Sequence, residues 1–369
     1  MINQLKQINF KNKKFRLILA FLSIVLICIY IYAFVSRGFK EFYDEKMDYV
    51  RAERILNKGL QGFYDNDTYI SPYPPLALSL IALIKALSPS LEAFKTIFFL
   101  ILLLNILLFC NALTIHNKLL TPLILLCFLT FPILRLGVVT LHPTDLLFLF
   151  FLLLSFQFNQ FNDKKKILSF IFLGLSIAIK WYSILTALLY PIHYYYKRDK
   201  KLMVASALTL WLFIIFGLIS PIFIFPNYLA IYSFHIEKST QLISWIQYSY
   251  GVKIPVASLA YPFNLFIGLP LTLAFFFISA LIVKKIKKLD DAALITLSLL
   301  PTVFFSSTGI PFLRFFVYPF ISYSLSSKLN VKVLAISIFL FFFRYNFISV
   351  ILISIVLYFS IYKEFREFT

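Results

Sequence analysis

Carboxylates are scarce in this chain, and seven of its sixteen crowd into one stretch: Glu41, Asp44, Glu45, Asp48, Glu53, Asp65 and Asp67. A carboxylate is ionised at neutral pH and can take a proton from a hydroxyl or hold a divalent cation through its oxygens. The stretch reads YDEKMDYVRAERILNKGLQGFYDNDTYISPYPPLALSL. It holds an acidic cluster, an amphipathic helix with Gly59 or Gly62 as its stop, and a Tyr-Pro-Pro-Leu segment that opens a short apolar helix. Pro74 and Pro75 remove two backbone donors and fix how the chain enters that helix. Lys180, His235, Lys238 and Arg314 are the cations that could meet developing negative charge, with Arg135 and His142 as weaker candidates. Arg314 stands between Phe312-Leu313 and Phe315-Phe316, an awkward place for a charge without a partner.

The elements that must position these residues follow from composition. Of 369 residues, 61% are hydrophobic and 14% charged, whereas a soluble domain carries about 25% charged residues. Too few polar side chains remain to cover a globule of this size, so the excess apolar surface needs lipid. Apolar runs at 17–35, 94–113 and 202–225 reach or exceed the roughly 18 residues that span a hydrocarbon core. The net charge of +19 arrives in bursts between apolar runs: Lys11, Lys13, Lys14 and Arg16; residues 164–166; Lys197, Arg198, Lys200 and Lys201; Lys284, Lys285, Lys287 and Lys288. That is the positive-inside pattern of cytoplasmic loops, and it excludes a nucleic-acid-binding face. Cys28, Cys110 and Cys127 lie inside apolar runs without a CxxC, which implies neither a disulfide nor a metal. The run 17–35 is long for a signal peptide and reads as a retained first helix.

Parity then predicts an all-α polytopic membrane protein, a single domain over 1–369. It has about twelve crossings plus a short re-entrant or interfacial helix at 76–87, too short for a comfortable span. The further crossings fall at 119–134, 144–160, 263–283, 292–306, 312–326, 331–343 and 347–362. A helical pair, 167–179 and 183–196, is broken at Lys180-Trp181-Tyr182. Loops 36–75 and 226–262 lie outside. The acidic stretch, Lys180, His235, Lys238 and Arg314 are thereby placed on one extracytoplasmic side.

The first outer loop resembles the GT-C superfamily of membrane glycosyltransferases, which take sugars from polyprenyl-phosphate carriers. The residues that carry the likeness are Asp44 or Glu45, Tyr49, Gly59, Tyr64 and Tyr73-Pro74-Pro75-Leu76. The subgroup it looks most like contains polyprenol-phosphate-mannose-dependent mannosyltransferases and archaeal and bacterial relatives. Downstream, Leu141-His142-Pro143-Thr144-Asp145 stands where that subgroup has a Gly-Asn-type turn, here without the Gly. Ala178-Ile179-Lys180-Trp181 is similar to its Leu-Lys turn, and His235-Ile236-Glu237-Lys238 with Ser244-Trp245 to a second outer-loop motif.

The resemblance implies transfer of a hexose such as mannose from a polyprenyl-phosphate-linked donor to a lipid or glycan acceptor at the extracytoplasmic face of a bacterial or archaeal plasma membrane. Asp44 is the first choice for general base, with Glu45 and Asp48 as alternatives. Tyr49, Tyr73, Lys180, His235, Lys238 and Arg314 are the expected substrate contacts. No cofactor is implied beyond a divalent cation, which the same three carboxylates could hold and which spacing leaves open. The expected partners are the lipid-linked donor, the acceptor and membrane lipids.

Plainer readings stand beside these. The acidic cluster could be a solvated helix face, Lys180 could snorkel to the interface, and His235 with Lys238 could be an exposed helix face. The Trp181-Tyr182 and 194–196 aromatics read as interfacial belts, and Asn66-Asp67-Thr68 as a chance sequon. Two other classes compete: a transporter or lipid flippase, which would show repeats and midplane charges, and a non-catalytic scaffold.

Overall fold

The computed structural model describes residues 24–25, 28, 31–32, 34–38, 44–66, 73–115, 143–159, 163–225, 228, 269–305, 318–330, 332–333, 336–337 and 347–366. Every regular element among the described residues is helical. The long ones are α1 (Asp44–Asn66), α2 (Pro75–Ala86), α3 (Leu91–Ile115), α4 (Pro143–Asn159), α5 (Asp163–Ile179), α6 (Thr186–Tyr196), α7 (Lys200–Ile224), α8 (Leu269–Lys285), α9 (Asp291–Phe305) and α10 (Phe347–Arg366).

The regular turns of α1 are interrupted at Gly59, one of the two glycines expected to stop it, and a second helical stretch follows. The chain bends there, with a φ of 68° and ψ of 172° that leave the helical region, and then continues to Asn66. A side chain is disfavoured at such a φ, so the bend falls where the sequence has no Cβ. The chain returns through Tyr73 and the extended Pro74 into α2, with Pro75 in the first turn where a missing N–H costs nothing. Ala77, Leu78, Ile81 and Ala82 form the buried face of α2, which packs on α1. The short helix expected at 76–87 is therefore present, one residue displaced.

Helices α3, α4, α5 and α7 pack in series. Polar clasps set their register: Asn105 Nδ2 donates to the Leu146 carbonyl at 3.0 Å, and Gln157 Nε2 to the Leu108 carbonyl at 2.8 Å. Ser169 Oγ donates to the Ser155 carbonyl at 2.9 Å. Between α5 and α7 the approach is tighter, because a Cβ on Gly174 would stand 2.1 Å from the Phe213 ring. The break after α5 falls where the sequence placed it. Lys180 is extended (φ −146°, ψ 128°), a single 3₁₀ turn follows at Trp181–Ser183, and α6 then begins. Asp199 caps α7 by accepting from the Leu202 N–H at 3.0 Å.

Among the described residues two helical segments, Leu91–Phe109 and Lys200–Ile224, are long and apolar enough to cross a membrane; Pro75–Ala86, Pro143–Asn159, Lys166–Ile179 and Asp291–Val303 are apolar but shorter. At about 1.5 Å per residue, such short helices fall below a hydrocarbon core of about 30 Å. The twelve crossings read from parity are not reached among the described residues. The run 119–134, most of 17–35 and of 331–343, and residues 312–317 of the run 312–326 lie outside them.

Apolar side chains face outward in stripes rather than singly. Leu100, Leu104 and Leu107 line one side of α3, Leu208, Leu212, Phe216 and Phe223 run down α7, and Leu273, Phe277 and Leu281 mark α8. Phe223 is 81% exposed. The aromatic clusters behave otherwise than an interfacial belt would. Tyr182 and Tyr194 are buried against Phe148 and Phe170, and only Tyr195 of that group is well exposed.

Candidate functional site

The site grows around Tyr73. One turn into α1, the Asp48 carboxylate is buried and Arg51 lies one turn further along the same face. Arg51 Nη1 reaches Asp48 Oδ1 at 2.7 Å, and the guanidinium carbon stands 5.5 Å from the centre of the Tyr73 ring. Lys180 Nζ stands 5.6 Å from the same ring centre and 5.1 Å from that of Tyr182. Its ion-pair partner is Asp145, at 2.5 Å. Both distances to the tyrosine lie within cation–π range.

Local sequence explains each placement. Asp145 lies in the first turn of α4, just after Pro143, where the helix dipole favours a carboxylate. Lys180 occupies the extended residue between α5 and the 3₁₀ turn, so its side chain leaves the bundle wall where the helix is interrupted. Tyr318 donates its hydroxyl to the same Asp145 oxygen at 2.9 Å. Phe148 meets Tyr182 and Tyr318 edge-on and those two tyrosines are tilted to one another, with ring centres 4.8 to 6.0 Å apart. Tyr64 donates to the Tyr73 carbonyl at 3.0 Å, which pins the loop from α1 to α2 at both ends.

Burial, above all, pushes the Tyr73 hydroxyl well above its ordinary value; the Asp48 and Asp145 charges push the same way, while Arg51 and the side chain of Thr144 oppose them. Tyr73 therefore keeps its proton at neutral pH and serves as a hydrogen-bond donor rather than a base. The four charged groups cancel: two carboxylates and two cations. An anion entering between Arg51 and Lys180 would displace carboxylate oxygens from one or both cations, and a freed carboxylate is a base.

Three expected site residues, Asp48, Tyr73 and Lys180, are brought together here. Tyr49 is not: its ring lies 4.3 Å from Lys85 Nζ and edge-on to Phe94, toward α2 and α3. Asp44 and Glu45 open α1, but their side chains lie outside the described residues, as do His235, Lys238, Arg314, Arg135 and His142. Arg51, Thr144, Asp145, Tyr182 and Tyr318 were not singled out for roles. The available signal was spacing for Arg51, three residues after Asp48. For Asp145 it was an acid at the head of an apolar helix, which calls for a named partner. Among the described residues no group of three or more His, Cys, Asp or Glu is placed to hold a metal ion. Comparison with family models, with curated proteins and with solved structures finds no match.

Proposed function

We propose that this chain is an integral membrane glycosyltransferase of the GT-C type. It would move a hexose from a polyprenyl-phosphate-linked donor to a lipid or glycan acceptor, with the cluster around Tyr73 as its active site. The observation that carries this reading is that Asp48 of α1 and Lys180, from the break after α5, both act on one tyrosine, Tyr73. The outward apolar stripes on α3, α7 and α8 support membrane embedding, since hydrocarbon would keep such surface from water. About twelve crossings and an extracytoplasmic site remain part of the proposal.

In this scheme a carboxylate takes the proton of the acceptor hydroxyl as its oxygen attacks the anomeric carbon. The bond from that carbon to the phosphate oxygen breaks, with inversion, and the lipid phosphate leaves with the electron pair. Lys180 and Arg51 receive its charge, and Tyr73 donates a hydrogen bond to it. Asp48 is the described carboxylate best placed for the base, with Asp44 and Glu45 beside it in sequence.

The test is to incubate the purified full-length protein with radiolabelled polyprenyl-phosphate sugars and a membrane lipid extract. A labelled product that depends on Asp48 and Lys180 is expected. Cysteines at the exposed Met47 and the half-buried Trp181, next to Asp48 and Lys180, should both react with an impermeant thiol reagent from outside; labelling from opposite sides would dismantle the site.

One feature favours a second reading. A charge pair at a broken helix, as Lys180 makes with Asp145, also suits a transporter or lipid flippase. Substrate flux in proteoliposomes without glycosyl transfer would select it.

A further inference from the structure

Helix α8 presents Leu273, Phe277 and Leu281 outward, and a groove opens on each side of that ridge. The groove toward α10, of about 330 Å³, is walled by Phe275, Ile278, Ile282, Ile355 and Phe359 and ends at Tyr362 and Lys285. Its walls are apolar along their whole length, and Phe359 is 67% exposed.

The end of the groove differs from its walls. Lys285 closes α8 and Arg366 closes α10. Lys285 Nζ stands 6.0 Å and the Arg366 guanidinium 5.6 Å from the centre of the Tyr362 ring, so one aromatic gathers two cations at the mouth. Lys284, Lys287, Lys288 and Lys363 are exposed around the same end. Among the described residues of this turn the acid is Glu364, whose carboxylate accepts from Tyr323 at 3.1 Å and from Ser360 at 2.8 Å.

A long apolar trough excludes water and takes hydrocarbon. A basic rim at one end, with a tyrosine at the boundary, adds preference for an anionic headgroup. We propose that the groove between α8 and α10 binds an anionic phospholipid of the cytoplasmic leaflet, its acyl chain against Phe275, Ile355 and Phe359 and its phosphate at Lys285 and Arg366. Lysines close both grooves of α8, so the ligand is chosen by charge at the mouth and by hydrophobicity within. The site rests on the membrane reading given above and is independent of glycosyl transfer.

Full-length protein, delipidated in detergent, is titrated with phosphatidylglycerol or phosphatidylcholine and examined by native mass spectrometry. Adducts with phosphatidylglycerol are expected at about 10-fold lower lipid concentration, the preference that two interfacial cations supply. The double variant K285Q/R366Q should bind both lipids alike. I355W, which fills the groove and keeps the cations, should lose the tightest adduct. Equal retention of the two lipids by the unaltered protein, or a preference that survives K285Q/R366Q, overturns the proposal. A chain that retains the lipid but transfers no sugar removes the transferase and leaves this site standing. A chain recovered from the aqueous fraction removes both.

Discussion

Lys180 and Asp145 form an ion pair at 2.5 Å, their side chains only 10% and 13% exposed, and the hydroxyl of Tyr318 closes on the same carboxylate oxygen. Removing one partner of a buried pair strands the other charge, which costs about 3 kcal/mol or more. Lys180→Met should therefore lower thermal stability in detergent sharply. The double variant with Asp145→Asn should recover much of the loss. Additive losses in that cycle would show that the two side chains do not depend on one another.

Asp48→Asn keeps an acceptor for Arg51 but cannot take a proton. Loss of a general base reduces turnover by about 10²- to 10⁴-fold, so labelled product should fall by at least about 100-fold while the protein still inserts and purifies normally. If Asp48→Asn is fully active, the same assay on Asp44→Asn and Glu45→Gln assigns the base.

Tyr73→Phe preserves the ring that Arg51 and Lys180 face and removes only the hydroxyl. Transfer should drop by about 10-fold, the worth of one donor of roughly 1–1.5 kcal/mol, with little change in melting temperature. Tyr73→Leu should also lose stability, since each cation over the ring contributes about 0.5–1 kcal/mol. Equal stability of the two variants would argue that the cations do not use the ring.

The raised Tyr73 hydroxyl has a pH signature. Its folded value lies above the unfolded value of 10.0, chiefly through burial. Near pH 10 and above, the unfolded chain ionises this group while the folded chain does not. The stability it contributes is complete below pH 10 and is lost as pH rises past it. The unaltered protein should therefore lose stability relative to Tyr73→Phe between about pH 9 and 11. Parallel melting curves across that range would refute the placement.

Gly59 carries a left-handed φ, yet nothing lies within 4 Å of where a Cβ would be. Gly59→Ala should therefore cost only backbone strain, about 1–2 kcal/mol, and should shift the approach of α1 to Tyr73. A neutral substitution, measured by thermal unfolding, would mean the bend does not need a glycine.

Asp48, Tyr73 and Lys180 were legible in the sequence because a charge in a strongly apolar chain stands out, and because paired prolines mark one loop. Tyr49 lies apart from the cluster around Tyr73. It follows Asp48 by one residue, so on a helix it is turned about 100° to another face, where Lys85 and Phe94 receive it. Arg51 was hidden among the ordinary charges of an amphipathic helix, and Tyr182 and Tyr318 among 22 tyrosines. Helix positions followed from apolar runs to within a few residues, for example 144–160 against Pro143–Asn159. The number of crossings did not, because a run of about 12–17 apolar residues satisfies both a buried core helix and a short membrane segment.

The cancellation of charge around Tyr73 bears on which anions the cluster attracts. With Arg51 and Lys180 each matched by a carboxylate, the cluster projects little long-range field to draw in chloride or free phosphate from bulk solution. Admission would depend on a greasy tail delivering its headgroup sideways, so millimolar inorganic phosphate should scarcely inhibit turnover. Strong competition by that ion would mean the cations are open to the aqueous phase after all.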